Sequence, residues 1–177
     1  MQRISSGEYM EKVIIIGCPG SGKTTFSEKL HKATNLPLYH LDSIWHKPDK
    51  TNISREEFDG KLAEIFSVSK WIIDGNYNRT LEVRFQKCDT VFLFDLPTEV
   101  CLQGVTERLG KRRNDMPWLE EKIDPDFETF IKDFRKTSLP RIFELIEKYK
   151  KDKQIIIFNA REEADKYLLD LQNDSLM

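Results

Sequence analysis

The 177-residue chain has few of the features that mark secreted, metal-binding or membrane proteins. Its three cysteines, Cys18, Cys88 and Cys101, are an odd number with no C-x-x-C pair. This pattern argues against a disulfide framework or a zinc site and favours reduced thiols. No apolar run approaches the length of a membrane span, and the N-terminus lacks the apolar core of a signal peptide. We therefore expect a cytoplasmic protein that does not bind membranes.

The chain also lacks a large net charge of either sign. Charged residues make up 33% of the sequence, yet the formal net charge is only -2 at pH 7. No global basic field draws such a protein to nucleic acid, so the charge argues against direct nucleic-acid binding. The length suits one domain with a sizeable core. We expect residues 1–10 to form a flexible tail and residues 11–177 to form a single domain, working as a monomer or a dimer.

What the chain does contain is a phosphate-binding pattern within residues 13–25, VIIIGCPGSGKTT. Residues 13–16 are all β-branched, which is typical of a parallel strand buried on both faces. Gly17-x-x-x-x-Gly22-Lys23-Thr24 follows, and a helix-period run begins directly after it. The pattern therefore lies between a strand and a helix. The glycines do not have the G-x-G-x-x-G spacing of a Rossmann dinucleotide loop.

This pattern predicts a site for ATP and Mg²⁺. Glycines let the backbone approach a ligand closely, and the loop amides and the helix N-terminus then bind phosphate. Lys23 is expected to contact the β- and γ-phosphates, and the Thr24 hydroxyl is expected to bind Mg²⁺. The predicted cofactor-binding residues of the loop are Gly17, Cys18, Pro19, Gly20, Ser21, Gly22, Lys23, Thr24 and Thr25. The alternative is a glycine-rich turn that caps a helix and binds nothing.

Two carboxylates follow predicted strands further along the chain. Asp42 comes after residues 38–41, and Asp74 ends the hydrophobic run that begins at Trp71. Ligands of parallel α/β sheets bind at the carboxyl ends of the strands. Asp42 can therefore orient or deprotonate an acceptor hydroxyl, and Asp74 can hold Mg²⁺ through water. The alternatives are an N-cap at Asp42 and a turn residue before Gly75 at Asp74.

Four arginines are candidates for stabilising charge on a transferred phosphoryl group. Arg79 reaches a phosphate if the turn after the third predicted strand folds back. Arg108, Arg112 and Arg113 lie near the end of a later predicted helix. Arg108 and Arg112 share a face if that helix extends far enough, and two guanidiniums on one face can bind a polyphosphate. For all four, a solvated surface charge or a favourable charge at a helix C-terminus is the alternative.

Residues at about 110–137 are polar and turn-rich at first and then helical. They are too few for a domain and predict a lid that excludes water during phosphoryl transfer. The last predicted strand, Gln154–Phe158, leads into Asn159, where a nucleotide base can rest. Five strands alternate with helices, which indicates an α/β fold with a parallel sheet.

With these motifs the chain resembles P-loop kinases of the adenylate kinase and shikimate kinase type. The segment DGNYNRT from Asp74 resembles the Asp-Gly-Phe-Pro-Arg-Thr segment of nucleoside monophosphate kinases, with Asn-Tyr-Asn replacing Phe-Pro. The run RLGKRR from Arg108 resembles the arginine cluster that enters their lid. The segment YHLD from Tyr39, then Trp45, then WIIDGNY from Trp71, is similar to bacterial DNA topology modulation proteins, which are adenylate kinase-related. This similarity covers roughly residues 10–170.

The resemblance implies a three-layer α/β/α P-loop fold, a five-stranded parallel sheet of order 2-3-1-4-5, and use of ATP with Mg²⁺. We therefore interpret residues 11–177 as one kinase domain that acts on a nucleotide or a small hydroxyl-bearing metabolite. The alternative is a nucleotide-dependent regulatory or DNA-topology-linked protein with weak ATPase activity, which predicts salt-dependent DNA affinity. The chain has no Asn-Lys-x-Asp element for guanine, which argues against a GTPase switch.

Overall fold

The computed structural model describes residues 10–174. The predicted tail, residues 1–10, lies outside this range except for Met10, whose side chain is buried in the core. No helix in residues 10–174 is both long enough and apolar enough to cross a bilayer.

Five parallel strands form one sheet in the order β2-β3-β1-β4-β5, which confirms the expected topology. The strands are β1 (Lys12–Gly17), β2 (Leu38–His40), β3 (Trp71–Asp74), β4 (Thr90–Phe94) and β5 (Gln154–Phe158). Strand β1 is central, and the side chains of residues 13–16 are fully buried. Helices cover both faces of the sheet, which is why this strand is an unbroken apolar run.

Eight α-helices are found within residues 10–174, and two of them begin after a residue whose side chain caps the helix. They are α1 (Lys23–Thr34), α2 (Leu41–Trp45), α3 (Arg55–Ser67), α4 (Asn78–Lys87), α5 (Thr98–Glu107), α6 (Pro125–Thr137), α7 (Leu139–Tyr149) and α8 (Arg161–Asp174). The Ser54 side chain caps α3 by accepting a hydrogen bond from the Glu57 N–H at 3.0 Å. Asp124 caps α6, which has proline at its first position.

Helix α5 ends before both arginines of the predicted pair, Arg108 and Arg112. Its last residue is Glu107, and Gly110 has a φ of +70°, a conformation that glycine adopts without strain. The Gly110 N–H donates to the Glu120 carbonyl at 2.8 Å, so the chain turns away from the helix axis. Arg108 and Arg112 therefore do not share a helix face. They belong to an irregular segment, residues 108–124, which we call the 108–124 connection.

Aromatic packing fixes the helix that follows the phosphate-binding pattern. Phe26 of α1 meets Phe92, Phe94 and Phe158 edge-on, with ring centroids 4.9, 5.4 and 5.3 Å apart. Such edge-to-face pairs add to the free energy gained from burying the rings. They join α1 to β4 and β5, so the N-terminus of α1 is held at the carboxyl edge of the sheet.

Candidate active site

A cleft of about 1010 Å³ opens at the carboxyl edge of the sheet, where the sequence predicted a ligand site. Its walls come from the phosphate-binding loop, the ends of β2 and β3, the 108–124 connection and the start of α8. Of the nine predicted loop residues, six line the cleft: Pro19, Gly20, Gly22, Lys23, Thr24 and Thr25. Gly17, Cys18 and Ser21 lie behind them. This volume is enough for a nucleotide and a small second ligand.

The loop has the backbone conformation that a phosphate site needs. Gly20 and Gly22 have φ values of +79° and +107°. A Cβ on Gly20 would lie 2.1 Å from the Cys101 carbonyl oxygen, so no larger residue fits there. Gly22 precedes α1 without any side-chain cap, which leaves the first N–H groups of the helix available to an anion. The buried Ser21 hydroxyl has no hydrogen-bond partner among the described residues.

Lys23 lies inside this loop rather than in solvent. Its side chain is buried, and its Nζ donates to the Cys18 carbonyl at 2.9 Å. Burial lowers the pKa of Lys23, and the Asp74 carboxylate opposes that shift. The Cys18 side chain is buried and does not line the cleft. A hydrogen bond with the Cys101 thiol and burial raise the pKa of Cys18. It is the backbone carbonyl of Cys18 that contacts Lys23.

Asp74 ends β3 and is held by a histidine. His40 Nδ1 lies 2.9 Å from Asp74 Oδ2. The Ser27 hydroxyl, which donates to the Thr24 carbonyl at 2.8 Å, lies 3.5 Å from the same oxygen. Burial lowers the pKa of His40, but the hydrogen bond and the charge of Asp74 together raise it above its ordinary value. His40 and Asp74 are paired in the register of β2 and β3, so the contact follows from the sheet. The histidine therefore orients the predicted metal ligand.

Asp42 lies in the first turn of α2 and lines the same cleft. Its Oδ1 accepts a hydrogen bond from the Tyr77 hydroxyl at 2.7 Å. Burial raises the pKa of Asp42, the Tyr77 bond opposes this, and the charges of Asp74 and Asp115 raise it further. A carboxylate with a raised pKa that faces a cleft is suited to accept a proton.

The loop after β3 is fixed by a buried arginine that the sequence analysis missed. Arg84 of α4 is fully buried and donates to the carbonyls of Gly75 at 2.7 Å, of Asn76, and of Tyr77 at 3.1 Å. Burial lowers the pKa of Arg84 to about 9. These bonds hold Tyr77 at a φ of +37°, which is costly for a bulky residue. The sequence signal for this buried arginine was a charged residue at an apolar position of a predicted helix.

Asn76, in the same loop, connects β3 to the phosphate-binding loop. Its Oδ1 accepts from the Gly17 N–H at 2.9 Å, and its Nδ2 donates to the Gly17 carbonyl at 2.6 Å. Asn76 and Tyr77 belong to the three residues that replace Phe-Pro of the nucleoside monophosphate kinase segment. In this chain they fix Gly17 and contact Asp42.

The 108–124 connection lies over the loop and contacts it through a carboxylate. Thr24 Oγ1 donates to Asp115 Oδ2 at 2.8 Å, and Arg113 donates to both Asp115 oxygens at 2.9 and 2.6 Å. Arg113 also donates to Glu120 at 2.5 Å, and Arg108 Nε lies 3.3 Å from the same oxygen. Burial raises the pKa of Asp115, but the bond and charge of Arg113 outweigh it and leave the pKa lowered.

The structure brings three of the four predicted arginines to the cleft. Arg108, Arg112 and Arg113 line it. Arg79 does not, because it lies in the first turn of α4 and donates two hydrogen bonds to Asp59, at 2.9 and 2.7 Å. In this arrangement Arg79 is not available to a ligand in the cleft.

Asn159 also lies outside the main cleft. Its N–H donates to Glu163 at 2.7 Å. The other residues of the smaller pocket that Asn159 lines are Asp95, Pro97, Thr98, Glu99 and Arg135. Arg161, which the sequence analysis did not single out, lines the main cleft instead. It donates to the Gly20 carbonyl at 2.8 Å and packs against Gly22.

The oxygen donors near the loop fit a magnesium ion that arrives with a nucleotide. Thr24, Asp74 and Asp115 supply hard oxygen atoms at the cleft. Within residues 10–174, no group of three or more histidine, cysteine or acidic side chains forms a metal site by itself. Mg²⁺ is usually bound by one or two carboxylates together with substrate phosphates, so this set is sufficient.

Known proteins resemble this chain in structure but not in sequence. No protein-family model matches it, and no curated protein matches it. Among solved structures, shikimate kinase from Acinetobacter baumannii, in complex with shikimate, matches with a TM-score of 0.59 at 18% identity, covering 96% of this chain and 97% of that chain. Shikimate kinase from Bacteroides thetaiotaomicron matches with a TM-score of 0.56 at 18% identity, covering 96% and 100%.

The chain has a P-loop kinase fold. At 18% identity the likeness concerns the fold alone, so the chemistry must be argued from the residues of the cleft.

Proposed function

We propose that the protein is an ATP-dependent phosphotransferase that acts on a small hydroxyl-bearing acceptor. One observation carries the proposal: Lys23, Thr24, Asp42 and Asp74 line a single cleft at the carboxyl edge of the sheet. A phosphate loop alone is compatible with many nucleotide-dependent activities. A proton-accepting carboxylate facing the same cleft is what transfer to a hydroxyl needs in addition.

Each group then has a defined task. The loop amides and Lys23 bind the β- and γ-phosphates, while Thr24 and Asp74 hold Mg²⁺, directly or through water. Mg²⁺, when bound, neutralises charge on the phosphates. Asp42 orients the acceptor hydroxyl and accepts its proton. Arg108, Arg112 and Arg113 stabilise charge on the transferred group once the nucleotide competes with their carboxylate partners.

The acceptor side of the cleft favours a hydroxyl-bearing metabolite over a nucleoside monophosphate. Arg79 corresponds to the arginine of the monophosphate kinase segment, but here it is paired with Asp59 outside the cleft. Asp42, His46 and Trp118 line the acceptor side instead, and the His46 and Trp118 rings meet edge-on at 5.0 Å. A carboxylate at this position repels a phosphate monoester. A nucleotide acceptor remains the second candidate.

The similarity to DNA topology modulation proteins supports a different role in which nucleotide binding regulates a partner. Arg108 forms an ion pair with Glu120, and Arg113 forms ion pairs with Glu120 and Asp115. These carboxylates neutralise the arginine charges, which argues against a DNA-binding surface at the cleft. We therefore expect any effect on DNA topology to be indirect.

The test is ADP release from Mg·ATP in the presence of nucleoside monophosphates, nucleosides and small hydroxyl metabolites. Lys23→Ala is compared with Lys132→Ala, which removes an exposed lysine of α6 that pairs with Glu128 at 2.6 Å. We expect one acceptor class to stimulate turnover in the wild type and in Lys132→Ala but not in Lys23→Ala. If ATP binds and no acceptor stimulates turnover, the phosphotransferase proposal is wrong and salt-dependent DNA affinity should be measured next.

A further inference from the structure

The contact between Thr24 and Asp115 joins two parts of the chain that are 91 residues apart. Thr24 is the residue of the phosphate loop whose hydroxyl is expected to bind Mg²⁺. Its hydrogen bond at 2.8 Å goes to a carboxylate of the 108–124 connection, although the sequence pointed only to Asp74 as the acidic metal ligand. Asp115 is 3% exposed, so its charge is held at this position rather than in solvent.

We propose that Asp115 is a ligand of the magnesium ion, so that the 108–124 connection completes the metal site over the phosphate loop. This inference rests on the proposed function, because the ion arrives with the nucleotide phosphates. It assigns to Asp115 a role that the sequence motifs gave to Asp74 alone.

The geometry of the contact supports this assignment. Mg²⁺ binds oxygen octahedrally at about 2.1 Å, so neighbouring oxygens of its coordination sphere lie about 3.0 Å apart. Thr24 Oγ1 and Asp115 Oδ2 are 2.8 Å apart, an ordinary hydrogen-bond length that is also close to one edge of such an octahedron. Little movement of either side chain is needed for both atoms to contact one ion.

The surroundings of Asp115 are those of an oriented metal ligand. Arg113 donates to both carboxylate oxygens. Partners of this kind fix the orientation of a ligating side chain. His40 does the same for Asp74. Two carboxylates, each held by a neighbouring side chain, match the number that Mg²⁺ takes from proteins.

A competing interpretation makes the opposite prediction. If Asp115 occupied the position of the ion only to block it, removing the carboxylate charge would strengthen metal binding. If Asp115 is a ligand, removing the charge weakens it. The sign of the change in metal affinity therefore separates the two interpretations.

The experiment measures Mn²⁺ binding by electron paramagnetic resonance, in the presence of the full-length protein and ADP. Asp115→Asn is compared with Glu120→Gln. Each variant removes one carboxylate partner of Arg113, but only Asp115 contacts Thr24. We expect Asp115→Asn to weaken Mn²⁺ affinity by more than about 100-fold, because loss of a group that only orients a ligand costs about 10–100-fold. We expect Glu120→Gln to change it less than about threefold.

The outcomes separate this inference from the proposed function. Mn²⁺ binding to the wild type should require ADP and should be lost in Thr24→Ala. If the wild type shows no such binding, both proposals fail. If that binding is present and Asp115→Asn loses less than about 100-fold in Mn²⁺ affinity, or gains affinity, only the role of Asp115 as a ligand is overturned. If Asp115→Asn does not fold, Asp115→Cys is used in its place. We then expect this variant to prefer Cd²⁺ over Mn²⁺ more strongly than the wild type does, because thiolate is a softer ligand than carboxylate. An unchanged preference would refute direct ligation.

Discussion

Two helical glycines provide a matched pair for testing how closely α5 approaches the phosphate loop. Gly104 of α5 and Gly60 of α3 both lie in helix interiors. A Cβ on Gly104 would lie 2.1 Å from the Gly20 carbonyl oxygen and 2.4 Å from Arg161 Nη2, whereas a Cβ on Gly60 would meet no atom within 4 Å. Alanine at the two positions therefore differs only in what the added methyl group contacts.

The expected magnitudes follow from these contacts. Alanine is favoured over glycine inside a helix by about 1 kcal/mol, so Gly60→Ala should raise the free energy of unfolding by that amount and the Tm by about 2–4 °C. Gly104→Ala has the same helical gain, but forcing a methyl group against backbone costs about 1–3 kcal/mol. Its net effect should therefore range from about zero to a loss of about 2 kcal/mol.

The functional effect should be larger than the effect on stability. To accept the methyl group, Gly20 and the phosphate loop must move relative to α5. A displacement of about 1 Å at such a site can reduce a reaction rate by about 100-fold. Urea denaturation without ligand gives the free energies, and calorimetric titration with Mg·ADP gives the affinities. If Gly104→Ala gained as much stability as Gly60→Ala and bound Mg·ADP like the wild type, the close contact between α5 and the loop would be refuted.

Three further predictions concern the cleft. Lys23→Ala should lower kcat/KM at least about 100-fold, or about 2.7 kcal/mol of transition-state stabilisation, and steady-state kinetics within twofold of the wild type would exclude its role. The acid limb of the pH profile of kcat/KM should lie above the ordinary carboxylate range, because burial raises the pKa of Asp42. Tyr77→Phe removes a hydrogen bond that lowers this pKa, so it should move the acid limb to higher pH. A shift to lower pH would contradict the role assigned to Asp42. Arg84→Met leaves three carbonyls without their donor and should lower the free energy of unfolding by about 2 kcal/mol or more in urea denaturation, whereas an unchanged midpoint would show that Arg84 does not hold the loop.

The sheet and the phosphate loop could be predicted because their signals are local. The apolar run at residues 13–16, the glycine spacing and the acids at strand ends each occupy a short stretch, and the register of a parallel sheet then brings those ends together. Asp42 and Asp74 reach the cleft for this reason. The longer helices were equally predictable, but the short helix α2 was not. The end of α5 could not be predicted either, because the turn beyond it is closed by a hydrogen bond from the Gly110 N–H to the Glu120 carbonyl.

The contacts of single side chains could not be predicted in this way. Arg79 is close in sequence to Asp74, yet the first turn of α4 directs it to Asp59 of another helix. The bond between Thr24 and Asp115 depends on the path of an irregular connection that no periodic pattern describes. Whether that connection moves as a lid stays a prediction.

The most direct test of the proposed phosphotransferase activity is the fate of the γ-phosphoryl group. ATP labelled at the γ-phosphate is incubated with the wild-type protein, Mg²⁺ and the acceptor that most stimulates ADP release, and the labelled products are separated. The proposed function predicts that the label appears in the acceptor in proportion to the ADP formed, and that Lys23→Ala abolishes this transfer. Label found only in inorganic phosphate, with every acceptor tried, would contradict it and identify the protein as an ATPase instead.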